Sequence, residues 1–298
     1  MKRKVFKGIK EWIETNARTL ELTRFQYLFE RGSKEAYYKE LMKYQNKDGG
    51  FGYGLEPDST NPYSTPIQTW TAFELFQELK LPKNDPMVKN AITYLTQTPF
   101  FENGYWYATI PSNDQYPHAP WWSHSEDEKI WGYNPTAAIA GFIYTHSLKE
   151  ANKLFAKEII QRAINDFLKG QFDEMHELRN FIELYEHIKD IPLFGSLKEF
   201  GERLEKAMLA NVEKDESKWF TSYCVRPSQY IYEKNMVGYT LLRDYIQKEI
   251  SMLPDHLDSD GVWPITWEWG QFPEEFAKAK QIWKGILAIR YLKIDKEL

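Results

Sequence analysis

A short phrase returns along this chain: a polar residue, a glycine, one further residue and an aromatic ring. Asp48-Gly49-Gly50-Phe51, Asn103-Gly104-Tyr105-Trp106 and Asp260-Gly261-Val262-Trp263 all carry it. Positions 48 and 103 lie 55 residues apart, and 103 and 260 lie 157 apart, about three steps of 52. Two more units are therefore expected between them, one weakly marked at Gly170-Gln171-Phe172 and one better marked from Asp215 to Phe220, ahead of Pro227. A period of this length means one supersecondary unit that buries its apolar face only against its neighbours.

The unit reads as a pair of helices. From Arg24 to Tyr44, the residues Phe25, Leu28, Phe29, Ala36, Tyr37, Leu41 and Tyr44 follow the i, i+3, i+4 spacing of an amphipathic helix, which Gly49 and Gly50 end. A second helix is predicted from Pro66 through Leu79, with Thr65 as N-cap, Pro66 at its first position and Gln68 completing a Thr-x-x-Gln capping box. Asn61-Pro62 before that helix is echoed by Asn134-Pro135 before a helix over 136–144. Strand signals are short and never alternate for long. The expected fold is all-α: about five helix hairpins in one domain, residues 1–298. Trp106, Trp121, Trp122, Trp131, Trp263, Trp267 and Trp269 gather in the loops that enter inner helices, which favours a closed ring over an open solenoid.

Gln45-x-x-x-Gly49-x-Phe51 resembles the glutamine-tryptophan repeat of squalene and oxidosqualene cyclases, and Asp48-Gly49-Gly50-Phe51-Gly52 is similar to repeats of protein prenyltransferase β subunits. Leu257-x-x-x-Gly261-x-Trp263 keeps the skeleton without the glutamine, and Gln97 precedes Gly104 at a longer spacing. The resemblance touches four of the five units. It implies an α/α toroid with its site at the centre of the ring, in which Gln45 and Phe51 are structural. It implies an enzyme acting on an isoprenoid-type or other apolar ligand in an aromatic pocket. The alternatives are a carbohydrate-active toroid, such as a polysaccharide lyase or glycosidase, and a binding protein without catalysis. The catalytic signatures of the family are missing. Glu56-Pro57-Asp58-Ser59 is the nearest phrase to the cyclases' Asp-x-Asp-Asp, and Cys224 has Ser222 where the prenyltransferases' zinc motif has an aspartate. No metal and no cofactor is expected.

The stretch from Asp48 to Pro66 holds four glycines and three prolines, and is too long for an ordinary helix-to-helix link. Its acids Glu56 and Asp58 precede the positive end of the helix begun by Pro66, which favours their ionised forms. They are candidate catalytic groups, although Asp58 and Ser59 alternatively only cap turns. His118, between two prolines and beside two indoles, is a candidate acid or base, the alternative being a structural role alone. Glu268, between Trp267 and Trp269, is another, on the expectation that apolar neighbours raise its pKa; the alternative is a lysine partner at a rim. Tyr53, Trp70, Trp106, Trp121, Trp122, Trp131, Trp263 and Trp267 are the candidate ligand-binding rings. The runs Ser125 to Lys129 and Phe272 to Phe276 read as a solvated loop and a helix start.

A net charge of -5 gives no reason to expect nucleic acid, so a small molecule, isoprenoid or sugar, is the expected partner. No run of 18 apolar residues marks an integral membrane segment, and the single cysteine cannot form an intramolecular disulfide; the expected location is the cytoplasm. The oligomeric state stays open.

Overall fold

The computed structural model describes residues 3–195 and 197–298, and eleven α-helices carry most of them. They are α1 (Arg3–Asn16), α2 (Thr19–Phe29), α3 (Lys34–Met42), α4 (Pro66–Glu78), α5 (Pro86–Gln97), α6 (Thr136–His146), α7 (Glu150–Lys169), α8 (Met175–Ile188), α9 (Lys198–Asn211), α10 (Tyr239–Met252) and α11 (Pro273–Glu297). Among the described residues, the strands are β1 (Phe101–Glu102) and β2 (Tyr105–Trp106), a two-residue antiparallel pair. The expectation of a nearly all-helical chain holds. None of the helices is long and apolar enough to cross a membrane.

The helix predicted from Arg24 to Tyr44 is two helices. Arg31 at φ +60° and Gly32 break the chain between α2 and α3, and a Cβ on Gly32 would lie 2.7 Å from Gln26. The apolar spacing runs through the break because both helices bury the same side, Phe25 on one and Tyr37 and Leu41 on the other.

Contacts gather into two compact units, residues 3–42 with Val212–Leu298, and Lys43–Asn211. In the first, α1 packs on α2 and α11, and α11 packs on α10. Its core joins Ile9, Ile13 and Phe25 to Trp219, Trp263, Ala288, Ile289 and Leu292. A charged pair is also buried there: Arg226 Nε stands 3.6 Å from Glu249 Oε1, while Ser228 donates both its backbone N–H and its hydroxyl to the same carboxylate. Burial raises the Glu249 pKa, against the lowering pull of Arg226.

In the second unit α6 packs between α7 and α8, with α9 against both of these and α4 against α5 and α6. Residues 136–143 of α6 are all buried, so this helix is apolar around its whole circumference. Phe73 of α4 stacks on Phe142 of α6 with centroids 3.6 Å apart.

The recurring phrase is a turn of fixed design. Gly49, Gly104 and Gly261 take φ of +94°, +84° and +78°, and the ring two residues on, Phe51, Trp106 or Trp263, is fully buried. The Phe51 N–H donates to Thr69 Oγ1 of α4, and the Trp106 N–H to Thr136 Oγ1 of α6, both at 3.0 Å. The indoles of Trp106 and Trp263 donate to the carbonyls of Leu95 and Leu253, each at 2.9 Å, which satisfies a carbonyl near the end of the preceding helical segment. At the weaker positions the design loosens. Trp219 keeps full burial and an indole bond to Glu213 O, whereas Phe172 is only half-buried.

Candidate functional site

The long segment between α3 and α4 is held rather than loose. Gln45 Nε2 donates to Gly49 O and Met87 O, and Asn46 Nδ2 donates to Pro62 O, all at 2.9 Å. Thr65 caps α4 as expected, accepting the Gln68 N–H at 2.9 Å. The capping box is not closed. The Thr65 N–H already donates to Phe51 O, so the Gln68 side chain turns to the loop, where Oε1 accepts the Leu55 N–H at 2.9 Å and Nε2 donates to Asn61 O at 3.1 Å.

A second loop, over 107–125, is bonded to the first. The Thr60 N–H and hydroxyl donate to Pro117 O, and the Ala119 N–H donates to Asp58 O. Asn61 Nδ2 donates to Ser112 Oγ and to Asn113 Oδ1, and Asn113 Nδ2 donates on to Trp122 O. A small cleft of about 10 Å³ lies between the loops, with Glu56, Ser59, Thr65, Gln68, Asn113 and Trp122 in its wall. Ser59 and Trp122 are 5% and 9% exposed, and neither Ser59 Oγ nor Trp122 Nε1 has a protein partner. Buried donors of this kind favour a ligand or water that accepts from them.

His118, also buried, sits where the loops cross. Its Nδ1 lies 2.6 Å from Tyr116 O and its Nε2 lies 3.0 Å from Ser123 Oγ, with Asp114 Oδ1 at 3.8 Å. Trp122 stacks on Trp131 with centroids 5.3 Å apart and planes at 14°, and the Trp131 indole donates to Glu128 O. Trp121, Tyr53 and Tyr63 are exposed rings on the same two loops, and Tyr63 meets Tyr116 edge-on at 6.0 Å.

Glu56, Asp58, His118, Trp121, Trp122 and Tyr53 are thus brought together on one pair of loops, with Trp131 stacked on Trp122. Glu56 borders the cleft, whereas Asp58 is buried on the same segment and is not in the cleft wall. Trp70 stands on α4, where its indole donates to Glu183 Oε2 and Arg179 lies over its ring at 5.6 Å. Trp106 is a core ring whose face and N–H are both used, so it offers nothing to a ligand. Trp263 is the same kind of ring in the first unit. Trp267 belongs to that unit as well, against Trp283 at 5.2 Å. Glu268 is exposed there, without the apolar enclosure expected of a general acid.

Ser123 and Gln68 were not legible as site residues. Ser123 lies five residues beyond His118, and only the short 3-10 helix over Pro120–Trp122 turns it back to the imidazole. Among the described residues no three His, Cys, Asp or Glu side chains gather as a metal-binding set. No family model matches the chain, and neither the curated proteins nor the solved structures give a match to it.

Proposed function

We propose that the chain is an acid/base enzyme built on the α/α-toroid frame of the terpenoid cyclases and protein prenyltransferases, and that its substrate is a carbohydrate. Three turns of one design, at Gly49, Gly104 and Gly261, support the frame. One observation carries the substrate class: the carboxylate of Glu56, the hydroxyl of Ser59 and the indole N–H of Trp122 meet at one small polar cleft, on loops that also bear exposed rings. The free space of about 10 Å³ is about that of one water, so the cleft seats a single small polar group while the rest of the ligand lies outside. Tyr53, Tyr63 and Trp121 supply flat faces on which sugar rings stack. Glu56 is then the acid or base at the scissile bond. The single cysteine supports a cytoplasmic setting.

The test is a panel of soluble polysaccharides and aryl glycosides, read by mass spectrometry for new chain ends, with Glu56→Gln as comparison. Cleavage of one glycan class that is lost in Glu56→Gln is the expected result. Absence of both binding and cleavage across the panel would sink the carbohydrate reading. The stacked Trp122 and Trp131 indoles favour a second reading, an isoprenoid-type ligand with cationic character against their faces. Native mass spectrometry of the protein from its own cells decides for it if a lipid is retained.

A further inference from the structure

We propose that Ser123 is the nucleophile of an acyl-transfer site, with His118 as its general base, and that the chain hydrolyses small carboxylic esters. The tautomer of His118 follows from its partners. Tyr116 O can only accept, so Nδ1, 2.6 Å away, carries the proton. The neutral ring then presents the lone pair of Nε2 to the hydroxyl of Ser123 at 3.0 Å. This is the relationship an activated serine needs: a nucleophile within reach of a base, and the base oriented by a third group, here a backbone carbonyl.

Access and rigidity agree with it. His118 is only 5% exposed, while Ser123 is exposed, so an ester can approach the hydroxyl and water does not surround the base. Pro117 and Pro120 stiffen the segment, and the bonds from Thr60 to Pro117 O and from Ala119 to Asp58 O pin it on either side of His118. The Ser123 N–H is held by Pro120 O at 3.2 Å, which fixes the serine at the end of its helical turn.

The step balances with water as the only co-reactant. Ser123 Oγ attacks the ester carbonyl carbon, and its proton passes to His118 Nε2. The bond to the leaving alkoxide breaks, and the alkoxide takes that proton. Water then attacks the acyl-serine, giving its proton to Nε2. Ser123 leaves as the alkoxide, recovers the proton, and the carboxylic acid is released.

This chemistry stands apart from the carbohydrate reading, since neither probe in its test is a sugar. The native protein is treated with a fluorophosphonate and mapped by peptide mass spectrometry, and p-nitrophenyl acetate hydrolysis is followed in parallel. One adduct is expected, on Ser123. It is lost in Ser123→Ala and kept in Ser125→Ala, which removes a neighbouring serine. Ester turnover is expected to fall about a hundredfold or more in Ser123→Ala, the scale of general-base assistance. Ser123 is exposed, so its truncation leaves the fold intact, and a thermal melt checks that. Failure of the native protein to label at Ser123, labelling no faster than at other surface serines, or equal ester turnover in wild type and Ser123→Ala would each overturn the proposal.

Discussion

Gln68 Oε1 accepts the N–H of Leu55 at 2.9 Å, thirteen residues back along the chain, while the same side chain's Nε2 donates to Asn61 O. One helix side chain thereby closes both arms of the segment that carries Glu56 and Asp58. Gln68→Ala removes one of two hydrogen bonds from each group, since the Leu55 N–H keeps Gly52 O at 3.3 Å and Asn61 O keeps the Tyr53 N–H at 2.9 Å, at a cost of about 0.5–1.5 kcal/mol per bond. The expected outcome is a clearly lower urea midpoint together with faster amide exchange at Leu55 and its neighbours. Unchanged exchange there would show that the loop is held without Gln68.

Gly49 and Gly261 separate two reasons for a glycine. Both have positive φ, but a Cβ on Gly49 would stand 2.3 Å from Asn90 O, whereas one on Gly261 would meet nothing within 4 Å. Gly261→Ala should cost about 1–2 kcal/mol, the backbone cost alone. Gly49→Ala should cost more, because backbone must also move. Equal losses in urea unfolding would show that the close approach contributes nothing.

These glycines also mark how far the sequence could be read. The helical class, the glycine turns and the capped start of α4 were legible because each depends on residues within a few positions. The break between α2 and α3 was not, because apolar spacing continues across it. Trp106 and Trp263 read as ligand-facing because they lie in loops, yet loop rings that cap a helix end are consumed by the core. His118 was legible from its prolines. Ser123 was not, since serine carries no signal until a turn brings it to an imidazole.

Arg226 and Glu249 predict a charge-dependent stability. Arg226→Met leaves a buried carboxylate without its cation and should destabilise by about 3–5 kcal/mol. The sign of its pH dependence is fixed. Burial already holds the Glu249 pKa above the ordinary value, and loss of Arg226 removes the influence that lowers it. The folded variant keeps a proton that the unfolded chain has released, so the variant weakens as pH rises above the usual carboxylate range. Urea midpoints at several pH values check this, and Arg226→Met with Glu249→Leu should recover most of the loss.

His187 predicts the opposite direction. Burial, then the neighbouring His146, lowers its pKa from 6.5 to about 3. Between those values the unfolded chain binds a proton that the folded one refuses. The stability is complete above about 6.5 and is lost progressively as pH falls toward about 3. His146, also lowered by burial, adds to the same slope. The groups facing the pair are Thr145, Phe142 and Gly141 of α6, with Lys83 as the nearby cation. His187→Asn should flatten the melting temperature against pH across this window. A profile as steep as wild type would assign the slope to other groups.

The first unit is assembled from both arms of the chain, residues 3–42 and Val212–Leu298, with Lys43–Asn211 between them. On a ribosome that arrangement becomes a delay. Ile9, Ile13 and Phe25 emerge more than 260 residues before Ala288, Ile289 and Leu292, which complete their core. At ~5–20 residues per second the interval is roughly 13–50 s, ample for the continuous middle segment to fold first. Helices α1 and α2 are thus born with an unsheltered apolar side, so their newly made form is the stage of this protein's life most in need of a chaperone.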